Sequence, residues 1–207
     1  MQADAQNQTA TVFLVDDEAT VRRSMRRFLK SAGYRVEAFE SADAFLNRLP
    51  ISGVGCLLLD IQMPEISGLE LQERLVGSGF RLPIIFLTSH GDVPSSVKAM
   101  KFGAQDFLSK LEDESVLFAA VEKALESSRK SCAVVARFAS LTERELETCQ
   151  HVIAGNLNKQ IADSLGITER TVKAHRSQVM EKTGVDSVAD LVRLAQQAGI
   201  PAAKKWG

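Results

Sequence analysis

The sequence predicts an α/β domain built on a parallel sheet, followed by a small all-helical domain. Short apolar runs recur between residues 11 and 109, the third of them without polar alternation, and helical patterns separate them. Strands of this kind are typical of parallel sheets that helices cover on both faces. After about residue 130 only helical patterns continue. A chain of 207 residues has room for two such domains.

Five strands and five helices alternate in the first domain. The predicted strands are residues 11–15, 35–39, 56–59, 84–87 and 106–109, and the predicted helices are residues 18–31, 42–49, 69–76, 93–102 and 112–129. Gly33 and Gly103 stand where helices end, and Ser41 stands where a helix begins. Short elements and a switch point between the first and third strands favour a flavodoxin-like, doubly wound sheet with strand order 2-1-3-4-5.

Four helices are predicted in the second domain. Thr142 and Glu145 have the spacing of a capping box, which opens the first of them. Residues 158–165 and 168–183 flank a tight turn at Gly166, which is the pattern of a helix-turn-helix. A last helix at residues 187–198 follows, with its apolar residues on one face: Val188, Leu191, Val192 and Ala195.

The pattern also gives domain boundaries. Residues 130–140 hold no proline or glycine and could continue the preceding helix, so we expect a short, partly helical hinge there. We therefore predict an α/β domain at residues 11–129 and a helix-turn-helix domain at residues 141–200.

Composition excludes several classes of protein. The chain is 45% hydrophobic and 25% charged, as is usual for globular proteins. We find neither an apolar run of the roughly 20 residues that span a membrane nor a secretory signal. The three cysteines, Cys56, Cys132 and Cys149, lack the spacing of metal ligands and are expected to be reduced. We therefore expect a cytoplasmic protein with no membrane partner.

Polar side chains directly follow four of the predicted strands. They are Asp16 with Asp17, Asp60, Thr88 and Lys110. Because parallel strands bring their carboxyl ends to one edge of the sheet, we expect these side chains to share a crevice. Crowded carboxylates repel one another unless a hard divalent cation joins them. Each residue alone could be a helix cap, a turn residue or a solvated charge, but together they predict a Mg²⁺ site.

The chemistry expected of this site is phosphoryl transfer to an aspartate. Asp16, Asp17, Asp60 and the backbone carbonyl of Gln62 can supply oxygen ligands to Mg²⁺. Asp60 would be the phosphoryl acceptor, with Thr88 and Lys110 contacting phosphoryl oxygens.

These residues also carry a resemblance. The segments 15–18, 59–64 with Gly68, 87–89 and 103–110 resemble the receiver domain of two-component response regulators, and the segments 90–94 and 99–101 resemble its FixJ branch. The resemblance implies phosphotransfer from a sensor histidine kinase to Asp60, with Thr88 and Phe107 as the switch. Leu111 departs from the pattern, because receivers usually have proline after the lysine, commonly with a cis peptide. We expect a trans bond here, since a cis bond to a non-proline residue costs about 2.5–4 kcal/mol.

The helix at residues 168–183 is the candidate DNA reader. The net charge of the chain is −1, so any DNA surface must be a local basic patch. This helix offers four basic side chains, Arg170, Lys173, Arg176 and Lys182. The alternative is a helical dimerisation or docking module with a solvated basic face.

A second resemblance favours the DNA reader. The segments 141–145, 155–162, 165–167 and 171–176 resemble the LuxR-type DNA-binding domain. The family layout implies that Lys173, Ala174 and Ser177 face bases, and that the last helix pairs protomers on double-stranded promoter DNA. It also implies a set of phosphate contacts: Asn158, Lys159, Thr171, His175, Arg176 and Lys182.

We thus expect a DNA-binding response regulator that is not an enzyme, beyond phosphorylation and dephosphorylation of Asp60 itself. Phosphorylation would promote homodimerisation through residues 93–129 and binding to promoter DNA. Three other hypotheses remain: an aspartyl-phosphate hydrolase, a phosphorylation-independent DNA binder, and a dinucleotide enzyme, the last disfavoured because no glycine-rich loop follows the first strand. The basic face of the first helix, at residues 22–30, is expected to be solvated, with kinase docking as the alternative.

Overall fold

A computed structural model describes residues 10–78, 80–89 and 93–206 of the chain. The chain divides into two compact units, with the division between Lys130 and Ser131. Within the described residues, no helix has both the length and the apolar character needed to cross a lipid bilayer.

The first unit contains the predicted five-stranded parallel sheet. Its strands are β1 Thr11–Val15, β2 Arg35–Phe39, β3 Gly55–Asp60, β4 Ile84–Thr88 and β5 Asp106–Ser109, and their spatial order is β2-β1-β3-β4-β5. The first four helices of this unit are α1 Ala19–Ser31, α2 Ala42–Leu46, α3 Gly68–Gly77 and α4 Val93–Lys101. The predicted strand order is confirmed.

Two apolar cores lie on the two faces of the sheet, because alternate side chains of each strand point to opposite faces. One core contains Phe13, Leu57 and Phe86, and the other contains Leu14, Leu58 and Ile85. All residues of β3 and β4 are buried, which explains why neither strand shows polar alternation.

One helix is shorter than the sequence predicted. Ser41 caps α2 through its side chain, as expected, but the helix ends at Leu46 rather than at residue 49. The chain then makes a tighter turn, in which the amides of Arg48 and Leu49 donate to the carbonyls of Phe45 and Leu46, and Pro50 disfavours a helical conformation at Leu49.

The second unit is helical. Its helices include α6 Glu143–Ile153, α7 Asn158–Leu165, α8 Glu169–Thr183 and α9 Val188–Ala198. Thr142 and Glu145 form the predicted capping box, and Gly166, Gly184 and Gly199 end α7, α8 and α9 in the left-handed conformation.

The core of this unit lies between the helices. Val172, Val179, Leu191 and Ala195 are buried in it, as their spacing predicted. Val188 was expected on the same apolar face, but its side chain is 40% exposed because it lies in the first turn of α9.

The segment predicted as a hinge is helical over nearly its whole length. Helix α5 spans Glu114–Ala139, whereas we expected the helix to end near residue 129. No proline or glycine interrupts residues 131–139, and Phe138 is buried in the core of the second unit. Burial of this aromatic side chain favours ordered helix over a partly helical hinge.

Candidate functional site

Three carboxylates meet at the carboxyl edge of the sheet. Asp16, Asp17 and Asp60, here called the acidic cluster, each offer an oxygen atom within 4.8 Å of the others. Asp16 and Asp60 are buried, at 0% and 4% exposure, and Asp17 is more exposed. The structure thus brings together the three acidic residues that the sequence predicted as metal ligands.

Strand register explains why these side chains meet. In the β1–β3 pair, Val15 lies beside Leu59, so Asp16 and Asp60 leave the sheet at the same level. In the β4–β5 pair, Thr88 lies beside Ser109, so Lys110 leaves the sheet one residue beyond Thr88. Parallel pairing therefore brings four separated sequence positions to one edge.

Lys110 ties the acidic cluster together. Its Nζ atom lies 2.7 Å from Asp16 Oδ2, 2.8 Å from Asp60 Oδ2 and 3.5 Å from Glu18 Oε1. The Lys110, Asp16 and Asp60 side chains are at most 8% exposed, so their charges interact with little solvent screening, whereas the Glu18 side chain is 53% exposed. Asp16 Oδ2 is buried and receives no hydrogen bond of good geometry from the described residues. A buried carboxylate oxygen in this condition suits a cation ligand.

Burial and charge shift the ionisation of this site. Burial raises the pKa of Asp60, and the neighbouring Asp16 adds to the effect, while Lys110 offsets it only in part. Burial would lower the pKa of Lys110, but its contacts with Asp16 and Asp60 outweigh burial and raise it. Lys110 therefore carries a positive charge in this site. One ammonium group does not neutralise the three carboxylates of the acidic cluster.

Two further residues support the site, and the sequence did not reveal their roles. Arg22 donates hydrogen bonds of 2.7 Å to the backbone carbonyls of both Asp16 and Asp17. Arg22 thus fixes the loop that carries these acids, although we had placed it on a solvated face. Gly68 packs so closely that an added Cβ would lie 2.1 Å from the carbonyl oxygen of Asp60. Only glycine fits at that contact.

The remaining predicted site residues lie nearby. Thr88 is buried at the end of β4, and its carbonyl accepts a 2.8 Å hydrogen bond from the Lys110 amide. The amide of Gln62 donates to Asp60 Oδ1 at 3.3 Å. The Phe107 ring lies 6.2 Å from that of Phe86, partly buried against the core.

The Lys110–Leu111 peptide is trans, as expected, because the only cis peptide in the described chain is Leu49–Pro50. Leu111 itself is 88% exposed. Part of the motif that resembled the FixJ branch, residues 90–92, lies outside the described residues.

The candidate DNA reader, α8, presents a polar face. Lys173, Ala174 and Ser177, which were predicted to face bases, are all exposed, while Val172 and Val179 anchor the opposite side. Lys159 is exposed, and Thr171 and His175 are partly exposed. These residues are accessible to a duplex.

Other predicted phosphate contacts already have protein partners. Arg176 donates a 3.0 Å hydrogen bond to Asn158 Oδ1, which joins α8 to the start of α7. Lys182 Nζ lies 2.7 Å from Glu145 Oε2, a nearly buried carboxylate that also accepts from the amide of Thr142. Lys182 thus links the end of α8 to the capping box of α6, a contact that its sequence position did not reveal.

Comparisons with known proteins agree with this geometry. Residues 12–122 match the model of the response regulator receiver domain, and residues 139–195 match that of the bacterial regulatory proteins of the luxR family. The response regulator protein TmoT of Ectopseudomonas mendocina is 41% identical over 92% of this chain and 90% of its own. The transcriptional regulatory protein FixJ of Bradyrhizobium diazoefficiens is 42% identical over 91% of this chain and 96% of its own. The solved structure of the response regulator StyR shares 44% identity, covers 91% of this chain and 99% of that one, and has a TM-score of 0.57.

Proposed function

Because the chain belongs to the two-component transcriptional response regulators that join a receiver domain to a LuxR-type DNA-binding domain, we propose that Asp60 accepts its phosphoryl group from a sensor histidine kinase. One observation carries the proposal. The Asp60 carboxylate is buried beside Asp16 and Lys110 at the carboxyl edge of the sheet, with its Oδ2 atom 2.8 Å from the lysine. We assign the receiver domain to residues 11–129, the connection to residues 130–140, and the DNA-binding domain to residues 141–200.

The acidic cluster fits a Mg²⁺ ion. Asp16, Asp17 and Asp60 would hold it together with the backbone carbonyl of Gln62, since three carboxylates within reach of one another form a hard-oxygen donor set, and the buried Asp16 Oδ2 has Lys110 as an ion-pair partner but no hydrogen bond of good geometry among the described residues. When bound, the ion neutralises negative charge on the phosphoryl group and on the carboxylates around it.

The protein's own groups position the phosphoryl group. Lys110 supplies a fixed ammonium that pairs with one phosphoryl oxygen, and the hydroxyl of Thr88 hydrogen-bonds another. Movement of Thr88 toward the phosphoryl group leaves room for Phe107 to turn inward. Arg22 holds the Asp16–Asp17 loop in place while this happens, through its bonds to both carbonyls.

The surface that responds to the switch is α4, β5 and the receiver part of α5. It exposes large apolar side chains, with exposed fractions from 39% to 88%: Val93, Val97, Met100, Phe102, Leu111 and Val116. Exposed apolar side chains of this size favour burial against a second copy of the chain. The resulting homodimer, together with α9, would place two α8 helices on half-sites of a promoter duplex. The exposed Lys173, Ala174 and Ser177 would read bases, and the phosphate contacts would be Asn158, Lys159, Thr171, His175, Arg176 and Lys182.

The protein would act in the cytoplasm as a regulator rather than as an enzyme. Its only reactions would be the gain and loss of the phosphoryl group on Asp60. An aspartyl-phosphate hydrolase would carry its nucleophile and a second acid in one motif after the first strand. Here Asp16 and Asp17 follow β1 as an adjacent pair, and the proposed acceptor, Asp60, stands at the end of β3. This arrangement does not favour a hydrolase.

The test compares wild-type protein with Asp60→Asn and with Asp43→Asn, an exposed acid outside the site and outside residues 93–129, as the matched control. With Mg²⁺ and beryllofluoride, wild-type and Asp43→Asn proteins should dimerise in sedimentation experiments and protect specific genomic DNA fragments. Asp60→Asn should do neither. Equal dimerisation and protection with and without beryllofluoride in wild-type protein, or tight binding by Asp60→Asn, would instead support phosphorylation-independent DNA binding.

A further inference from the structure

The C-terminal tail, residues 201–206, is held against the second unit by its backbone. The amide of Ala203 donates to the Gln150 carbonyl at 3.0 Å. The side chain of Asn156 donates to the Lys204 carbonyl at 3.2 Å and accepts from the Trp206 amide at 3.0 Å. Asn156 is only 5% exposed, so the side chain that makes these two hydrogen bonds is itself held in position by the second unit.

The backbone contacts leave the side chains of the tail in solvent. Lys204 and Lys205 are exposed, and neither makes an ion pair with another part of the described chain. Trp206 is 47% exposed. Uncharged groups, the Gln150 carbonyl and the Asn156 side chain, therefore hold the tail in place. The ammonium groups of Lys204 and Lys205 stay in solvent.

That place adjoins the proposed DNA contacts. Asn158 and Lys159 follow Asn156 by two and three residues, so their Cα atoms lie within about 11 Å of its Cα atom. Both were assigned to phosphate contacts, and Asn158 is joined to α8 through Arg176. A DNA strand presents a phosphate about every 3.4 Å along its axis, so charges this close can reach the same stretch of backbone.

The charge balance of the DNA-binding part also depends on the tail. Residues 141–207 carry nine Lys and Arg against eight Asp and Glu, and Lys204 and Lys205 are two of the nine. Without them the acidic residues would outnumber the basic ones. Three of the remaining basic side chains are ion-paired within the unit: Arg144, Lys182 and Arg193.

We infer that the C-terminal tail is a further DNA-binding element, in which Lys204 and Lys205 contact phosphates of the duplex beside those bound by the start of α7. Asn156 is the positioning residue that holds the tail there. The tail lies beyond the 139–195 segment that matches the luxR family. The inference rests on the proposed DNA-binding function, and its contacts are independent of DNA sequence.

The experiment measures binding of the full chain, activated with Mg²⁺ and beryllofluoride, to a fluorescent mixed-sequence duplex over a series of salt concentrations. Lys204→Ala/Lys205→Ala should weaken binding about ten-fold or more near 0.1 M salt and should reduce the slope of log affinity against log salt by roughly two. Lys30→Ala/Arg35→Ala, which removes two exposed charges from the receiver, is the matched control and should change neither.

A second variant tests the anchor. Asn156→Ala keeps both lysines but removes the two hydrogen bonds to the tail, together with one to the His151 ring, so it should weaken binding in the same direction, with thermal unfolding recorded to exclude a folding defect. If wild-type protein binds and Lys204→Ala/Lys205→Ala shows unchanged affinity and salt slope, the tail has no role in DNA binding. The proposed DNA-binding function would stand in that case. If wild-type protein does not bind duplex DNA at all, the proposed function fails, and the inference fails with it.

Discussion

Lys110 Nζ lies 2.8 Å from Asp60 Oδ2, and both side chains are more than nine-tenths buried. The same ammonium lies 2.7 Å from Asp16, so it stands among the oxygens that would bind a metal ion. In this structure the lysine provides the positive charge that the acidic cluster requires. Under the proposed function, Mg²⁺ and Lys110 would compete for the same carboxylate charge, although both would stabilise the phosphorylated state.

Replacing this lysine should separate metal binding from phosphotransfer. Lys110→Ala should bind Mg²⁺ several-fold more tightly in calorimetric titration, because it removes a competing cation, and should lose most phosphorylation by acetyl phosphate. Lys30→Ala, at the exposed end of α1 and outside residues 93–129, is the control and should behave as wild type. Intact phosphotransfer and switching in Lys110→Ala would show that the role given to this lysine is wrong.

Gly68 should tolerate no side chain. In Gly68→Ala, the new Cβ would lie 2.1 Å from the Asp60 carbonyl, so either β3 or the start of α3 must move. We expect a loss of about 1–3 kcal/mol in the free energy of unfolding by urea, together with slower phosphorylation. Gly77→Ala is the matched control, since a Cβ there would meet nothing within 4 Å. It should be neutral or slightly stabilising, and an equal loss in both variants would contradict the packing argument.

Two of the three thiols should be inert in the folded protein. Burial raises the pKa of Cys56 to about 12, with the charge of Glu122 adding to the shift, and burial raises the pKa of Cys149 to about 11. Because the thiolate is the reactive form, iodoacetamide at neutral pH should modify only Cys132 in native protein and all three cysteines after unfolding. Rapid labelling of Cys56 in native protein would contradict its burial.

The same thiols make stability depend on alkaline pH. Both pKa values lie above the ordinary value of 9.0, so an unfolded chain releases these protons at lower pH than the folded one. Their contribution to stability is complete below pH 9 and is lost as the pH rises toward 11 and 12. Urea titrations across this range should show a falling free energy of unfolding, with a smaller fall in Cys149→Ala. An equal fall in that variant would exclude the Cys149 thiol as a cause.

Lys173 and Lys182 should act differently, although both are basic residues of α8. Lys173 is exposed and is proposed to contact a base, so Lys173→Ala should weaken DNA binding and relax its sequence preference. Lys182 pairs with Glu145 and helps to keep the pKa of that carboxylate below its usual range. Lys182→Ala should therefore lower the thermal stability of the second unit, in addition to removing a proposed phosphate contact, and the loss should be larger near neutral pH than below pH 4.5, where Glu145 becomes protonated in the unfolded chain. An unchanged melting temperature in Lys182→Ala would contradict the stabilising role of its pair with Glu145.

The sequence was sufficient to predict the sheet and the acidic cluster. Asp16, Asp60, Thr88 and Lys110 each follow an apolar strand, and parallel register then determines that they meet. No contact had to be known in advance, because the periodicity and the polar residue at each strand end are local features.

Contacts between distant segments could not be predicted in this way. In the sequence, Arg22 is one of several arginines on the surface of a helix. In the structure, it donates hydrogen bonds to the carbonyls of Asp16 and Asp17. The anchoring of the tail by Asn156 joins residues about 50 positions apart and follows no repeating pattern. The continuation of α5 to Ala139 depends on burial of Phe138, which only the packed unit reveals.

The most direct test of the account is intact-protein mass spectrometry after incubation with acetyl phosphate and Mg²⁺. We expect a gain in mass of one phosphoryl group, sensitive to hydroxylamine, and peptide mapping that locates it at Asp60. The adduct should be absent in Asp60→Asn and should require the divalent ion. A stable adduct at another residue, or none in wild-type protein under conditions that phosphorylate a known receiver, would contradict the central claim.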